Sequence, residues 1–350
     1  MPAGDDIEVN VYERLPRLGW VYEWRSGVSR VILGTGVEQH PTFFVEGAWD
    51  GDFIHGRFDE SEHFFGSGLR VDDRGVHFIP SSGLTDRLIC CQGESFLIVS
   101  NSLSLLLART GDRLDPTHDY RTESSGLTQG IKRYRRDFEI PSIHGYRYFQ
   151  LIYECMTFSN GALQYWTRPA SSPIRSFSDY KARLEASLDR LRLNATDPRR
   201  VHRMTAVTTL SSGYDSAAVA SLARRIGVTQ CFTSRRSNSA LPWRSSDDGT
   251  PIADALGLQC LELSPAPPPA HYDLLFAAGN PVATESVFHS LATYIERSGD
   301  ITLVLTGYHG DKVWDVNLDA AYATDEILRG DSSGLGLSAA RLHAGFINVP

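Results

Sequence analysis

The sequence predicts two folded parts: a β-rich α+β domain over residues 1–169, then an α/β domain over residues 174–350 with a doubly wound, mostly parallel sheet. Three observations lead there. The 350 residues are enough for about two domains. In the second half, short apolar runs alternate with amphipathic ones, the pattern of a parallel sheet covered on both faces. In the first half, β-branched and aromatic runs follow one another with Gly, Asp and Ser between them. The Pro/Ser stretch Arg168-Pro169-Ala170-Ser171-Ser172-Pro173 separates the halves.

In the first half, Trp20 to Trp24, Val28 to Leu33, Thr42 to Val45, Arg70-Val71 and Val76 to Ile79 are strand-length runs, as in a sandwich or layered sheet. Ser95 to Ser100 reads as a strand, and Asn101 to Ala108 as a capped helical turn. Cys90-Cys91 fits a strand with one buried thiol. Tyr148 to Tyr153 is another strand, and Ser159-Asn160-Gly161-Ala162 is a hairpin signal. Lys132-Arg133-Tyr134-Arg135-Arg136 reads as a solvated loop.

In the second half, Tyr180, Leu184, Leu188 and Leu191 recur at helical spacing in a helix opening at Phe177. A strand over 206–210 leads to an Ala-rich helix with Val219, Leu222, Ala223 and Ile226 on one face and Gly227 as its stop. Strands follow at Gln230–Thr233 and Cys260–Leu263, with a helix from Thr250 to Leu256 closed by Gly257. Pro265 to Pro269 force a loop. Helices near 272–278 and 287–297 precede Ile301 to Thr306, which by composition is a buried parallel-type strand.

Composition narrows the functions. A hydrophobic fraction of 41% and a charged fraction of 22% describe a soluble globular chain. With a net charge of −8 and a pI of about 5.8 there is no basic field to collect nucleic acid. Five cysteines, none in a C-x-x-C pair, argue against a disulfide scaffold, a metal finger or a thiol relay. The start, Met1-Pro2-Ala3-Gly4, lacks the basic and apolar regions of a signal peptide. No apolar stretch approaches the ~18 residues of a membrane span. No membrane partner is expected, and the cytoplasm is the default compartment.

The chemistry converges on Leu210-Ser211-Ser212-Gly213-Tyr214-Asp215-Ser216. A strand, a turn of small residues and a helix in succession aim backbone N–H groups and a helix N-terminus at one spot, a ready anion site. Ser211, Ser212 and Ser216 add hydroxyls, and Asp215 a carboxylate able to hold magnesium beside a phosphate. The same residues also suit an ordinary βα turn whose serines cap the helix.

This stretch resembles the PP-loop of the N-type ATP pyrophosphatases, Ser-Gly-Gly-x-Asp-Ser after a strand, and with Leu210 the longer form of the asparagine synthetase branch. Ser211, Gly213, Asp215 and Ser216 match, and Ser212 replaces the first glycine. That branch has a second motif, Ser-Gly-Glu-Gly-(Gly/Ser)-Asp-Glu, at the end of a later strand. Thr306, Gly307, Gly310 and Asp311 match it, while Tyr308, His309 and Lys312 depart from it. The resemblance implies a PP-loop, HUP-like sheet, ATP as the nucleotide, and magnesium held by Asp215 and Asp311. With Tyr308 in the place of the family's glutamate, His309 is a candidate acid or base, since its pKa lies near 6.5 when unperturbed. A surface or capping role is the plainer account of His309, and a solvated helix start that of Asp315 and Asp319.

Phe232, Thr233 and Ser234 fall where the family forms its adenosine pocket, followed by Arg235 and Arg236 as candidate phosphate contacts. Pro281 to Ser286 resembles a proline-acidic segment that would turn Glu285 toward substrate. Glutamine-using members carry a catalytic Cys after Met1, where this chain has Pro2, so the first domain reads as a degenerate glutaminase-like scaffold that releases no ammonia. The family's downstream lysine has no counterpart after Lys312, leaving Lys312 or an arginine to steady departing pyrophosphate.

The resemblance thus implies an adenylating enzyme that forms amide or amidine bonds. Its partners would be a small-molecule or peptide carboxylate and an amine nucleophile, and a homodimer is an admissible assembly. Two rivals stand beside it: a catalytically silent nucleotide-binding relative, and a tRNA-acting PP-loop enzyme, which the net charge and lack of paired cysteines disfavour.

Overall fold

A computed structural model describes residues 7–83, 86–115, 117, 141–169, 172–234, 247–264 and 286–307. The basic cluster at 132–136, the helix near 272–278 and everything from Tyr308 onward lie outside the described residues. The chain forms two compact units, Met1–Thr205 with Pro267–Leu303, and Ala206–Ala266 with Val304–Pro350.

Unit 1 is built on two six-stranded sheets. The first runs β1 (Ile7–Val11), β3 (Val28–Leu33), β2 (Trp20–Arg25), β9 (Phe96–Ser100), β8 (Leu88–Gln92), β10 (Arg147–Leu151). The second runs β12 (Ala162–Trp166), β11 (Cys155–Ser159), β7 (Gly75–Ile79), β6 (Phe64–Asp72), β5 (Phe43–Trp49), β4 (Glu38–His40). Neighbours pair antiparallel except β1 and β3, which are parallel.

The period of two in these strands decides what each face buries. Trp20, Tyr22, Val31 and Leu33 point between the sheets at Leu69, Phe78 and Met156. The alternate residues Val21, Ile32 and Ile89 point outward, where α1 (Leu103–Thr110) covers them with Leu103 and Leu106. Cys90 and Cys91 are therefore both buried, one between the sheets and one under α1, and not singly as the sequence suggested. The cap of α1 is Ser102, whose hydroxyl accepts from Leu105 N at 3.2 Å. Asn101 instead accepts from Trp20 N at 2.9 Å. Asn160 and Gly161 take φ of 51° and 80°, the left-handed pair that a two-residue hairpin turn needs.

The outer face of the second sheet carries an aromatic cluster of Phe43, Trp49, Phe53, Phe58 and Phe64. Trp49 and Phe58 meet edge to face, with centroids 5.3 Å apart. Beside it, α2 (Phe177–Ala195) lays Leu191 and Ala195 against Ala48 of β5. Its buried face is Ser187, Leu191, Asn194 and Ala195, while Tyr180 and Leu184 stay half-buried. The shift has a polar cause. Asp50, just past β5, accepts from Arg190 at 3.1 Å and Ser187 at 3.3 Å, and Asn194 donates to Gly51 O at 2.8 Å.

Unit 2 contains a parallel sheet. The strand order is β15 (Gln259–Glu262), β14 (Gln230–Thr233), β13 (Met204–Thr209), β16 (Ile301–Leu305), the unit boundary falling inside the last two. β13, β14 and β15 pair in parallel. Thr208 Oγ1 donates to Leu305 O at 3.0 Å and Thr209 Oγ1 to Thr306 Oγ1 at 3.0 Å, both across 97 residues, so β16 runs parallel as well. α3 (Tyr214–Arg225) and α4 (Thr250–Leu256) bury Ala220 and Ala253 with Leu210, Cys231 and Leu258 on one face of the sheet. Val219 and Leu222 are only half-buried, because the small residues Ala220 and Ala223 make the close contact. β16, expected to be buried, ends the described sheet and is mostly half-buried. α5 (Ser286–Ser298) precedes it.

Two acids in unit 1, Glu38 buried and Glu46 half-buried, give measurable consequences. Glu38 and Arg200 are almost fully buried and 3.8 Å apart, with the guanidinium 4.2 Å over the Phe53 ring. Burial lowers Arg200 to about 10, against the pull of Glu38. Arg200→Met strands the Glu38 carboxylate and is expected to cost about 3 kcal/mol in urea unfolding. Adding Glu38→Gln should recover much of that loss, and a double variant no better than the single one would refute the pairing. Glu46, bonded by Ser67 Oγ at 2.6 Å, is pushed up to about 8, chiefly by burial. A raised carboxyl gives stability that is intact below its unfolded value of 4.5 and lost as pH climbs through about 8. Glu46→Gln should therefore gain on wild type in thermal midpoint across that window, and a constant difference would exclude the linkage.

Candidate functional site

In chain order the four parallel strands are β13, β14, β15 and β16, but in space β13 lies between β14 and β16. The order reverses between β13 and β16, and open α/β sheets bind ligands beyond the strand ends at such a point. The segments leaving those two strands are 210–216 and Thr306-Gly307, where the sequence placed the loop and the start of the second motif.

The loop is held by its own hydroxyls and by backbone. Leu210 is buried, and its N–H donates to Phe232 O at 2.8 Å. Ser211 N donates to Ser216 Oγ at 3.0 Å, Gly213 N donates to Ser211 Oγ at 3.2 Å, and the two serine hydroxyls are 2.9 Å apart. Ser216 Oγ also lies 3.0 Å from Gly213 O. Gly213 is the N-cap of α3, with φ −78° and no side-chain cap bond. Among the described non-glycine residues, positive φ occurs only at Ser26, Tyr153 and Asn160, so Ser212, which stands where the resembled motif has glycine, is free of left-handed strain. Asp215 stands half-exposed in the first turn of α3.

Two glycines let other backbones reach the loop. A Cβ on Gly307 would lie 2.5 Å from Ser216 N and 2.6 Å from Asp215 C. One on Gly249 would lie 2.7 Å from Leu210 O. Neither has a positive φ that would call for glycine, so close approach is the reason. Gly249 is fixed in turn by donating its N–H to Thr233 Oγ1 at 2.8 Å.

Of the expected residues, Leu210, Ser211, Ser212, Gly213, Asp215 and Ser216 share this loop, and Thr306 and Gly307 lie at the adjoining strand end. Phe232 and Thr233 are buried at the end of β14, with Ser234 half-exposed after them. His309, Asp311, Lys312, Arg235, Arg236 and Glu285 lie outside the described residues. Asp247 was missed: it accepts from Ser212 Oγ at 3.3 Å. The available signal was Asp247-Asp248-Gly249 ahead of Thr250-Pro251, acidic residues before a proline at a helix start. Asp248 uses its carboxylate locally, accepting from Thr250 N at 2.9 Å.

A separate cavity of about 620 Å³ in unit 1 is lined by β1, Phe44, His40 and His202. It includes no loop residue and sets no nucleophile beside a base, so the loop is the better candidate site. Among the described residues, no group of three or more His, Cys, Asp or Glu is placed to hold a metal, and no helix is long and apolar enough to cross a membrane. Neither a scan against protein-family models nor a search of curated proteins finds a match to this chain.

The glycine contacts are testable. Gly307→Ala forces a methyl group into the backbone of Asp215 and Ser216, with an expected cost of about 1–3 kcal/mol. Gly213→Ala meets only Ser211 Oγ, at 3.3 Å, and should cost under about 1 kcal/mol. Chemical denaturation of both decides it, and equal costs would contradict the packing described.

Proposed function

We propose that this loop cradles the phosphates of ATP in a magnesium-requiring enzyme that joins a carboxylate to a nitrogen nucleophile, on a doubly wound sheet of the PP-loop, HUP-like kind. The observation that supports it best is the convergence, at one reversal of strand order, of a helix N-terminus, a serine-lined loop, Asp215 and the close backbone of Gly307. The residues fit a triphosphate. The first-turn N–H groups of α3 have no intrahelical acceptor, and the positive end of its dipole favours anions. Asp247 orients the exposed Ser212 hydroxyl.

Asp215 and, by the resemblance, Asp311 would hold the magnesium ion, whose charge offsets that of the phosphate oxygens when bound. The exposed Ser212 hydroxyl and the first-turn N–H groups of α3 bind and orient the leaving pyrophosphate. The substrate carboxylate attacks the α-phosphorus, the bond to the β-phosphate oxygen breaks, and the amine then displaces AMP from the acyl group. His309 and Lys312 are the candidates for proton transfer and charge support. Unit 1, a two-sheet sandwich flanked by helices, serves in this reading as a scaffold, without glutaminase activity.

One observation favours the silent nucleotide binder instead: the Ser216 hydroxyl is engaged within the loop, by Ser211 and Gly213. ATP–pyrophosphate exchange over a panel of carboxylates separates the two. The enzyme reading expects magnesium-dependent exchange that falls at least about 100-fold in Asp215→Asn. Full exchange in that variant would overturn the role of Asp215, and ATP binding without exchange for any carboxylate would favour the silent binder.

A further inference from the structure

We propose that Cys231 and Cys260 form a redox-modification site, closing an internal disulfide by exchange with a small-molecule disulfide. The two residues are direct register partners on the parallel strands β14 and β15. Adjacent strands lie about 4.8 Å apart, and directly paired residues leave the same sheet face. That spacing is inside the range of roughly 4.4–6.8 Å between Cα atoms that disulfides accept. Both side chains enter one apolar cluster with Leu210, Ala220 and Ala253, and both thiols are free. Cys90, Cys91 and Cys155 are buried and belong to unit 1.

The two thiols differ in a way that orders the reaction. Cys260 is half-buried and open to a reagent, whereas Cys231 is buried. Burial also pushes the Cys231 thiol up to about 12, keeping it protonated until a partner sulfur is in place. The Cys260 thiolate attacks one sulfur of the reagent, the reagent's S–S bond breaks, and one thiolate leaves with the electron pair. The Cys231 sulfur then attacks Cys260 Sγ and displaces the second thiolate, which takes up the Cys231 proton. Two protein thiols are oxidised and one small disulfide is reduced to two thiols. Exchange runs in both directions, so an excess of dithiol reverses it. The site stands independently of the nucleotide reading.

The test treats the full native chain with oxidised glutathione, quenches in acid, and applies intact-mass measurement and peptide mapping. The expected product has lost two hydrogens, about 2 Da, carries a cross-linked peptide containing Cys231 and Cys260, and reverts with dithiothreitol. Cys231→Ser should stop at a glutathione adduct on Cys260, and Cys260→Ser should give neither species. Should either variant fail to fold, the wild-type peptide map decides alone. A wild-type chain that stays reduced, keeps only a glutathione adduct on Cys260, or links either residue to a unit 1 cysteine would overturn the proposal.

Discussion

The candidate site depends on one steric constraint: the backbone at Gly307 passes the first turn of α3 with no room for a methyl group. Parallel strands leave their sheet in one direction, but that alone does not bring two exits into contact. Contact requires small residues on both sides, and the loop provides them. Its polar groups are satisfied internally, Ser211 N by Ser216 Oγ and Gly213 N by Ser211 Oγ, so closing the loop leaves few buried donors unpaired. The exposed Ser212 hydroxyl is then turned outward to Asp247. A serine is accommodated here because the chain needs no left-handed residue at that position.

Unit 1 obeys a different constraint. Its apolar core is large, but the ends of its strands carry buried charges that fix where neighbouring segments lie. Burial disfavours the Asp50 carboxylate, yet hydrogen bonds from His63, Ser61 and Arg190 outweigh it and hold the group well below the usual carboxylate range. The side chains that satisfy Asp50 come from the 61–63 loop and from α2, so one acid positions two segments. Glu38 does likewise for the turn after α2, accepting from Val201 N at 3.1 Å and His202 N at 2.9 Å. Breaking such a group costs more than a surface pair would, because the partner is left charged in a poorly hydrated place.

These differences explain what the sequence made legible. Phe96–Ser100 and the end of β3, Val31 to Leu33, are apolar runs bounded by turn residues, and their burial follows from pattern alone. β1 was not among the strands read from the sequence, although Ile7, Val9 and Val11 alternate there with Glu8 and Asn10. β4, Glu38-Gln39-His40, carries none and exists because β5 offers it an edge. The stripe expected on α2 holds at Leu188 and Leu191 but not at Tyr180 and Leu184, and Asp50, far away in sequence, adds Ser187 and Arg190 to the packed side. At the site, strand, loop and helix were readable from the one run Ala206 to Gly227. The grip of Gly249 and Gly307 and the bond to Asp247 were not, since each joins residues that only the strand order brings together.

β14 links these observations. Its Phe232 carbonyl accepts the Leu210 N–H that begins the loop, and its Thr233 hydroxyl accepts the Gly249 N–H just before α4, both at 2.8 Å. One residue earlier, Cys231 faces Cys260 on β15. The loop and the start of α4 therefore both hang from the end of one short strand, and neither can shift without stretching a bond to it. Buried bonds of this kind are costly to leave unmade, so they fix position more firmly than exposed side-chain bonds do. Hung from an inner strand, the loop has its backbone fixed at both ends of that contact, and of its three serines only Ser212 presents an exposed side chain.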